Sequence, residues 1–270
     1  MKVTAVESLE LPALAPYRSL RQATGHAAAG IFVAEGGTVV RRLLESDLVV
    51  DSALLTPVWC ERLRPQIEAR GDTLAVFETP AELVERIVGF HYHQGAMAVG
   101  RIRAERPLRA ILEAAPCPRL VVALDGLTSA ENVGVVVRNC AAFGVAALIV
   151  GPRTADPWLR RAVRNSMGTV FRLPTVTSTD FPAALRGLRA RHGFRVFAAA
   201  PGGAAAIGAT AFGRDACIVF GHEGHGVSPA VMEACDEAVA IPMPPHVDSL
   251  NVASATAVFL YEASRRQRGA

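Results

Sequence analysis

Leu120-Val121-Val122-Ala123-Leu124 is an unbroken apolar run, and no other stretch restricts the fold of this chain so tightly. A strand with one solvated face alternates apolar and polar residues, whereas a strand apolar throughout is buried on both faces, as in a parallel sheet covered by helices. Comparable runs recur at 147–150, 194–198, 217–220 and 238–241, separated by helical segments of ten residues or more. That alternation predicts an α/β domain with helices on both faces of its sheet. Helix starts are marked at Asp156-Pro157, Asp180-Phe181-Pro182 and Ser228-Pro229, each a capping residue with proline in the first turn.

The first half reads as a smaller α/β domain. Between residues 30 and 100 short apolar runs at 31–33, 48–50 and 74–77 alternate with helical spacing over 38–46 and 57–69, and Thr79-Pro80 opens a further helix with Thr79 as N-cap. The segment 101–109, with four arginines and Pro107, reads as the joint. The expected organisation is therefore a domain over 1–100, a linker over 101–117 and a larger domain over 118–270. A length of 270 residues suits two domains of about 150 residues or fewer each.

Composition narrows the function classes. Hydrophobic residues at 51% and charged residues at 20% fit a globular chain and exclude a disordered or collagen-like one. The most apolar stretch, 141–150, is interrupted by Gly144 and falls short of the roughly 20 residues of a membrane helix. The N-terminus carries Glu7 and Glu10 and no continuous apolar segment, so a cytoplasmic location is expected. Five scattered cysteines without a C-x-x-C pair argue against a disulfide framework or a zinc knuckle. A net charge of +3 permits a nucleic-acid partner without requiring one.

Three polar segments of the second half stand apart from the scaffold. In the first, the buried strand runs through Asp125-Gly126-Leu127-Thr128-Ser129-Ala130-Glu131 into a helix carrying Asn132, Gly134 and Arg138. Asn132 reads as a candidate N-cap, and the apolar neighbours Val135, Val136, Val137, Cys140 and Ala141 leave Arg138 little open surface. The second is Gly221-His222-Glu223-Gly224-His225-Gly226, a glycine-rich loop between a strand and a helix that lets a ligand approach the backbone closely. Its glycine spacing is not that of a dinucleotide loop, and its histidine order is not that of a zinc protease. No metal site is expected. The third is Ile241-Pro242-Met243 followed by Ser249-Leu250-Asn251-Val252, a strand exit fixed by proline and then a helix whose first turns hold Ala253, Ala255 and Ala257.

Taken together, Asn-x-Gly-x-x-x-Arg, the Gly-x-Glu-Gly-x-Gly loop, and Ile-Pro-Met with Ser-Leu-Asn-Val resemble the three motifs of the SpoU (TrmH-like) family of SPOUT-class RNA ribose 2′-O-methyltransferases. The resemblance spans about 118–266 and includes Asn165-Ser166-Met167-Gly168. The first half is similar to the family's substrate-binding domain, whose fold is like ribosomal protein L30e, with His93-Gln94-Gly95 near its end. Two positions depart from the usual pattern: Ala130-Glu131 stands where Asp-Pro is usual, and His222 where asparagine is common.

The resemblance implies a SPOUT domain with a deep trefoil knot, S-adenosyl-L-methionine as cofactor, and 2′-O-methylation of structured RNA, ribosomal RNA favoured, with tRNA or a non-catalytic ribosome-assembly role as alternatives. It implies cofactor contacts at Gly221, Ile241 and Leu250, and catalytic roles for Asn132, Arg138, Glu223, Ser249 and Asn251. A guanidinium stays protonated in proteins, so Arg138 suits a grip on substrate phosphate better than the role of base often given to its counterpart. A homodimer, with Arg138 completing the partner's site, is also implied. Arg18, Arg21, Arg41 and Arg42, with the joint arginines Arg101, Arg103 and Arg106, are the candidate RNA contacts of the first half.

Overall fold

The computed structural model describes residues 3–8, 10–19, 23–88 and 95–267. The chain forms two compact units, Met1–Ala104 with Trp158–Arg172, and Glu105–Pro157 with Leu173–Ala270. His93, Gln94 and Arg21, singled out from the sequence, lie outside the described residues.

The first unit is built on a five-stranded mixed sheet of β1 (Val3–Ala5), β2 (Ile31–Glu35), β3 (Val50–Leu55), β4 (Ala75–Glu78) and β5 (Ala96–Arg101), ordered β1-β4-β3-β5-β2. β1, β4 and β3 run parallel, while β5 is antiparallel to β3 and β2. Val33, Leu54, Phe77, Met97 and Val99 join Tyr17 and Leu14 in one buried cluster. The strand expected at 48–50 instead begins at Val50 and runs to Leu55, leaving Val49 59% exposed. The helix expected over 57–69 is two, Pro57–Arg62 and Arg64–Ala69, because the Pro65 ring cannot continue the first one. Thr79 is no N-cap: its hydroxyl is buried without a hydrogen-bond partner among the described residues. The helix Gly37–Leu44 is closed by Arg70, which donates Nε to Leu44 O (2.7 Å), Nη1 to Leu48 O (2.8 Å) and Nη2 to Leu43 O (2.9 Å) and Ser46 O. Leu43 O and Leu44 O belong to the last turn, whose carbonyls have no partners inside the helix, and a cation at a helix C-terminus also opposes the macrodipole favourably.

Trp158–Arg172 belongs to this unit although in sequence it follows the strand Ala147–Val150 of the other. The Phe32 ring lies 4.9 Å from that of Trp158 and 5.4 Å from that of Phe171. Glu35, 1% exposed, accepts from Arg160 and from Arg164 Nη1 (2.8 Å). Asp156-Pro157 therefore does not open a helix: turns at 157–159 seat Trp158 first, and the helix is Arg160–Asn165. Ser166, fully buried, then folds the Asn165-Ser166-Met167-Gly168 segment into a turn by donating to Val163 O (2.8 Å) and accepting from Gly168 N (3.1 Å).

The second unit holds a seven-stranded, wholly parallel sheet of β6 (Arg119–Asp125), β7 (Ala147–Val150), β8 (Thr175–Thr177), β9 (Arg195–Ala199), β10 (Ala205–Ala206), β11 (Asp215–Gly221) and β12 (Glu237–Ala240). Their order is β10-β12-β9-β11-β6-β7-β8. Every strand expected from the apolar runs is present; β8 and β10 are short additions. Leu108–Ala114, inside the segment read as a linker, is a helix that buries Ile111 and Leu112 in this unit's core. β6 and β11 are neighbours whose following connections leave in opposite directions. In open α/β sheets such a switch point leaves a crevice beyond the carboxyl ends of the strands. At the other end Arg119 and Asp215 pair in register, with Nε 2.9 Å from Oδ1 and Nη2 2.7 Å from Oδ2.

Candidate functional site

β11 ends at Gly221, and the chain turns back on itself at once: His222 N donates to Gly226 O (3.0 Å) and Gly226 N to His222 O (2.8 Å). A Cβ on Gly221 would stand 2.1 Å from Gly226 C and 2.2 Å from Val227 N. Glycine is required there by the returning backbone. The close approach that the sequence assigned to a ligand is made by the chain itself.

The Glu223 carboxylate leaves this turn toward the segment after β6. It accepts from Thr128 N (3.2 Å), Thr128 Oγ1 (3.4 Å), Ser129 N (3.1 Å) and Asn132 Nδ2 (3.1 Å). Burial opposes its ionisation, but the hydrogen bonds from Asn132, Ser129 and Thr128 prevail and hold the carboxyl below the ordinary glutamate range. An anion so satisfied is a fastener, and has little capacity left to accept a proton.

Ser129, not Asn132, is the N-cap of the helix Ala130–Ala142, with Oγ accepting from Asn132 N (3.2 Å). Asn132 is thereby free to use its side chain across the loops. Because its Nδ2 donates to a carboxylate, its Oδ1 is the acceptor for Asn251 Nδ2 (3.2 Å), and Asn251 Oδ1 in turn accepts from Ala253 N (2.9 Å). The direction of every bond in this chain follows from the first. Asn251 thus starts the helix Val252–Gln267, and Asn139 Nδ2 ties the two helices together at Ala253 O (2.8 Å).

A cleft of about 580 Å³ opens where β9, β11 and β12 end, within the volume range of small-molecule sites. Gly221, Glu223, Ile241, Ser249, Leu250 and Asn251 all line it. Apolar wall is supplied by Ile241, Met243 and Phe259, and open backbone by the ends of the strands. Asn132 is outside the cleft but hydrogen-bonded to two of its lining residues. Arg138 is elsewhere. It is exposed and makes no hydrogen bond or ion pair among the described residues, which corrects the expectation that its apolar neighbours enclose it. At about 100° per residue, six positions set Arg138 some 120° around the helix from Asn132, while Asn139 shares the Asn132 face.

Two contributors were not singled out from the sequence. Asp125, 6% exposed at the end of β6, accepts from Ser228 N (2.7 Å) and so pins the far end of the glycine loop. Its signal was there: a carboxylate ending an apolar run must find a donor. Thr128 was read only as loop. Among the described residues no helix is long and apolar enough to cross a membrane.

Residues 119–261 match the SpoU rRNA Methylase family. The chain belongs to this family. Among its relatives, an uncharacterised tRNA/rRNA methyltransferase of Mycobacterium bovis is 35% identical over 240 residues, 87% of this SpoU member and 81% of the relative. The 23S rRNA (guanosine-2′-O-)-methyltransferase RlmB of Xanthomonas campestris is 33% identical over 207 residues, 75% and 82% of the two chains. A solved rRNA methyltransferase of Sinorhizobium meliloti with AdoMet bound shares 26% identity at a TM-score of 0.82, covering 97% of this SpoU chain and 98% of its own.

Proposed function

We propose that this chain transfers the methyl group of S-adenosyl-L-methionine to a ribose 2′-hydroxyl of structured RNA, with ribosomal RNA as the substrate class. The observation that carries this reading is the convergence of Gly221, Glu223, Ile241, Ser249, Leu250 and Asn251 on one cleft, with Asn132 fastened to it. The cleft suits the cofactor: Ile241 and Leu250 offer apolar surface for adenine, and the strand ends offer backbone groups for the ribose and the charged tail. When bound, the cofactor supplies an electrophilic methyl group. The residues of the chain then have to place the 2′-oxygen in line and ease the loss of its proton, work in which position counts most.

We assign Glu223, Asn132 and Asn251 to holding the loops in register, Ser249 to a polar contact in the cleft, and Arg138 to the substrate phosphate. Because Arg138 faces away from its own cleft, we assign it to the cleft of a second copy. The exposed Val258 (40%) and Tyr261 (56%), on the helix that packs against the helix of Arg138, support a homodimer through that face. We further propose that residues 118–270 form the SPOUT domain with a trefoil knot, supported by the parallel sheet and by the return of Val252–Gln267 onto Ala130–Ala142. Residues 1–100 are proposed as an L30e-like reader of RNA, joined through the part of 101–117 that precedes the helix Leu108–Ala114, and the cytoplasm as the place of action.

The test is incubation of the purified chain with methyl-labelled S-adenosyl-L-methionine and, separately, ribosomal RNA and tRNA lacking modification, followed by nucleoside analysis. Label in a 2′-O-methylnucleoside of ribosomal RNA is expected. Label only in tRNA would move the substrate, and label in a base or in no RNA would overturn the reading.

A further inference from the structure

None of the groups assigned above can take the proton of the 2′-hydroxyl. A guanidinium stays protonated, the amides are not bases, and the Glu223 carboxylate already accepts four hydrogen bonds. The glycine loop carries two further side chains into the same cleft, His222 and His225. Their rings lie 4.7 Å apart, and His225 Nδ1 is 3.2 Å from His222 Nδ1.

The backbone fixes the proton of His222, and the contact between the rings bears on that of His225. Gly224 N can only donate, and it points at His222 Nδ1 (2.9 Å), so that nitrogen carries the lone pair and the proton of His222 sits on Nε2. The contact between the rings is a hydrogen bond only with the proton on His225 Nδ1, which shares the His222 Nδ1 lone pair with Gly224 N. A neutral His225 with its proton on Nδ1 has its lone pair on Nε2. Of the four ring nitrogens, His225 Nε2 is the one with an uncommitted lone pair. This is the arrangement of a base whose tautomer is set by a neighbour.

Resting on the proposed methyl transfer, we infer that His225 Nε2 is the general base of that reaction. The 2′-O–H bond breaks with its proton passing to His225 Nε2. The oxygen pair forms the new O–CH3 bond, and the C–S bond breaks with its electrons returning to sulfur. The resulting imidazolium keeps Nδ1–H toward His222. The other charged and titratable groups that line the cleft among the described residues are His222 and Glu223 of its own loop and Asp248. Glu223 is held toward Thr128 and Asn132, which leaves Asp248 as the competing base.

The test compares wild type with His225→Asn, whose side-chain amide can still donate toward His222 while Nε2 is deleted, and with Asp248→Asn. Three readouts are taken: the single-turnover rate against pH, the affinity for S-adenosyl-L-methionine by calorimetry, and the 15N imidazole resonances of the ligand-free protein. His225→Asn should lower the rate by about 10²–10⁴-fold, the range of general-base catalysis. It should also remove the pH dependence of the rate, with cofactor affinity within about twofold, while Asp248→Asn keeps the profile. The resonances should show Nδ1–H on His225 and Nε2–H on His222. A His225→Asn enzyme with an unchanged rate and profile, a profile lost in Asp248→Asn instead, or a proton found on His225 Nε2 at pH 8 would each overturn the inference. If wild type itself methylates no 2′-hydroxyl, the failure lies with the proposed function, and the imidazole resonances still decide the tautomer.

Discussion

Asn132 Nδ2 lies 3.1 Å from Glu223 Oε1 across 91 residues of sequence, and this bond joins the segment after β6 to the loop after β11. Those two strands are neighbours at the switch point of the sheet, so the bond spans the point where the topology leaves a crevice. Everything downstream in the amide chain, to Asn251 and the start of Val252–Gln267, takes its polarity from it.

Glu223→Gln should therefore be more harmful than its size suggests. The amide nitrogen that replaces one carboxylate oxygen must face backbone or side-chain donors that it cannot accept from, and each mismatch costs about 1–3 kcal/mol. Methyl transfer is expected to fall by at least tenfold, with looser 127–132 amides in hydrogen exchange. The carboxyl's lowered pKa gives the matching pH effect: its contribution is complete above the ordinary glutamate range and is lost as pH falls through the lower folded value. Equal activity and equal exchange in Glu223→Gln would leave the network without a role.

A cofactor-blocked variant has to be chosen with the loop geometry in mind. Gly221→Val would drive a side chain into the backbone of Gly226 and Val227, so it tests folding before it tests binding. Ala255, half-buried on the helix that lines the cleft, is the better site: Ala255→Phe should remove measurable cofactor binding in calorimetry while the far-UV spectrum is unchanged. Mixed with Arg138→Ala, which should bind cofactor normally but fail in transfer, it should restore up to one working site per mixed dimer. Activity of the mixture no greater than that of its parts would put Arg138 to use within its own chain or nowhere.

Asp215 should set part of the acid stability of the second unit. The hydrogen bonds from the Arg119 side chain, outweighing burial, hold its carboxyl below the usual aspartate range. A depressed folded pKa means stability that is present above the unfolded value near 4 and is lost as pH falls below it. Urea midpoints measured from pH 7 to pH 3 should drop less steeply for Asp215→Asn than for wild type, the variant being the weaker at neutral pH. Parallel curves would show that the pair adds nothing.

The parallel sheet was legible because buried strands write themselves as apolar runs: 120–124 and 217–220 became β6 and β11 with their ends shifted by a residue or two. β8 and β10 were not, since three- and two-residue strands leave no period to read. At the site, Gly221, Glu223, Ile241, Ser249, Leu250 and Asn251 could be named from motifs, yet the reason for Gly221 could not, because the backbone that excludes a Cβ returns only through the turn at 222–226. Arg138 was misjudged for a related cause. Its apolar sequence neighbours lie on other faces of the helix, and adjacency along a helix says little about enclosure.

The membership of Trp158–Arg172 changes what removal of the N-terminal half should do. Sequence alone suggests that a chain beginning at Leu108 folds by itself, and the core of the second unit, complete from Ile111 to Ala234, agrees. Such a chain, however, retains Trp158 and Phe171 without Phe32, and Arg160 and Arg164 without Glu35. Trp158 would be its sole tryptophan, since the chain has two and the other is Trp59. Its emission should shift to the red, and the protein should associate through the freed aromatic surface, an effect that Trp158→Ser with Phe171→Ser should reverse while cofactor affinity stays within about twofold of the full chain. RNA binding is the second readout. Arg18, Arg101 and Arg103 are engaged with Glu10, Asp51 and Asp47, and Arg42 with Met167 O, whereas Arg41 and Arg106 are exposed and have no partner among the described residues. Phosphate contacts carry much of RNA affinity, so the shortened chain, and more mildly Arg41→Ala with Arg106→Ala in the full chain, should bind RNA more weakly and with a shallower salt dependence. Blue-shifted Trp158 emission together with undiminished, equally selective RNA methylation would mean that the first hundred residues neither shelter this segment nor read the substrate.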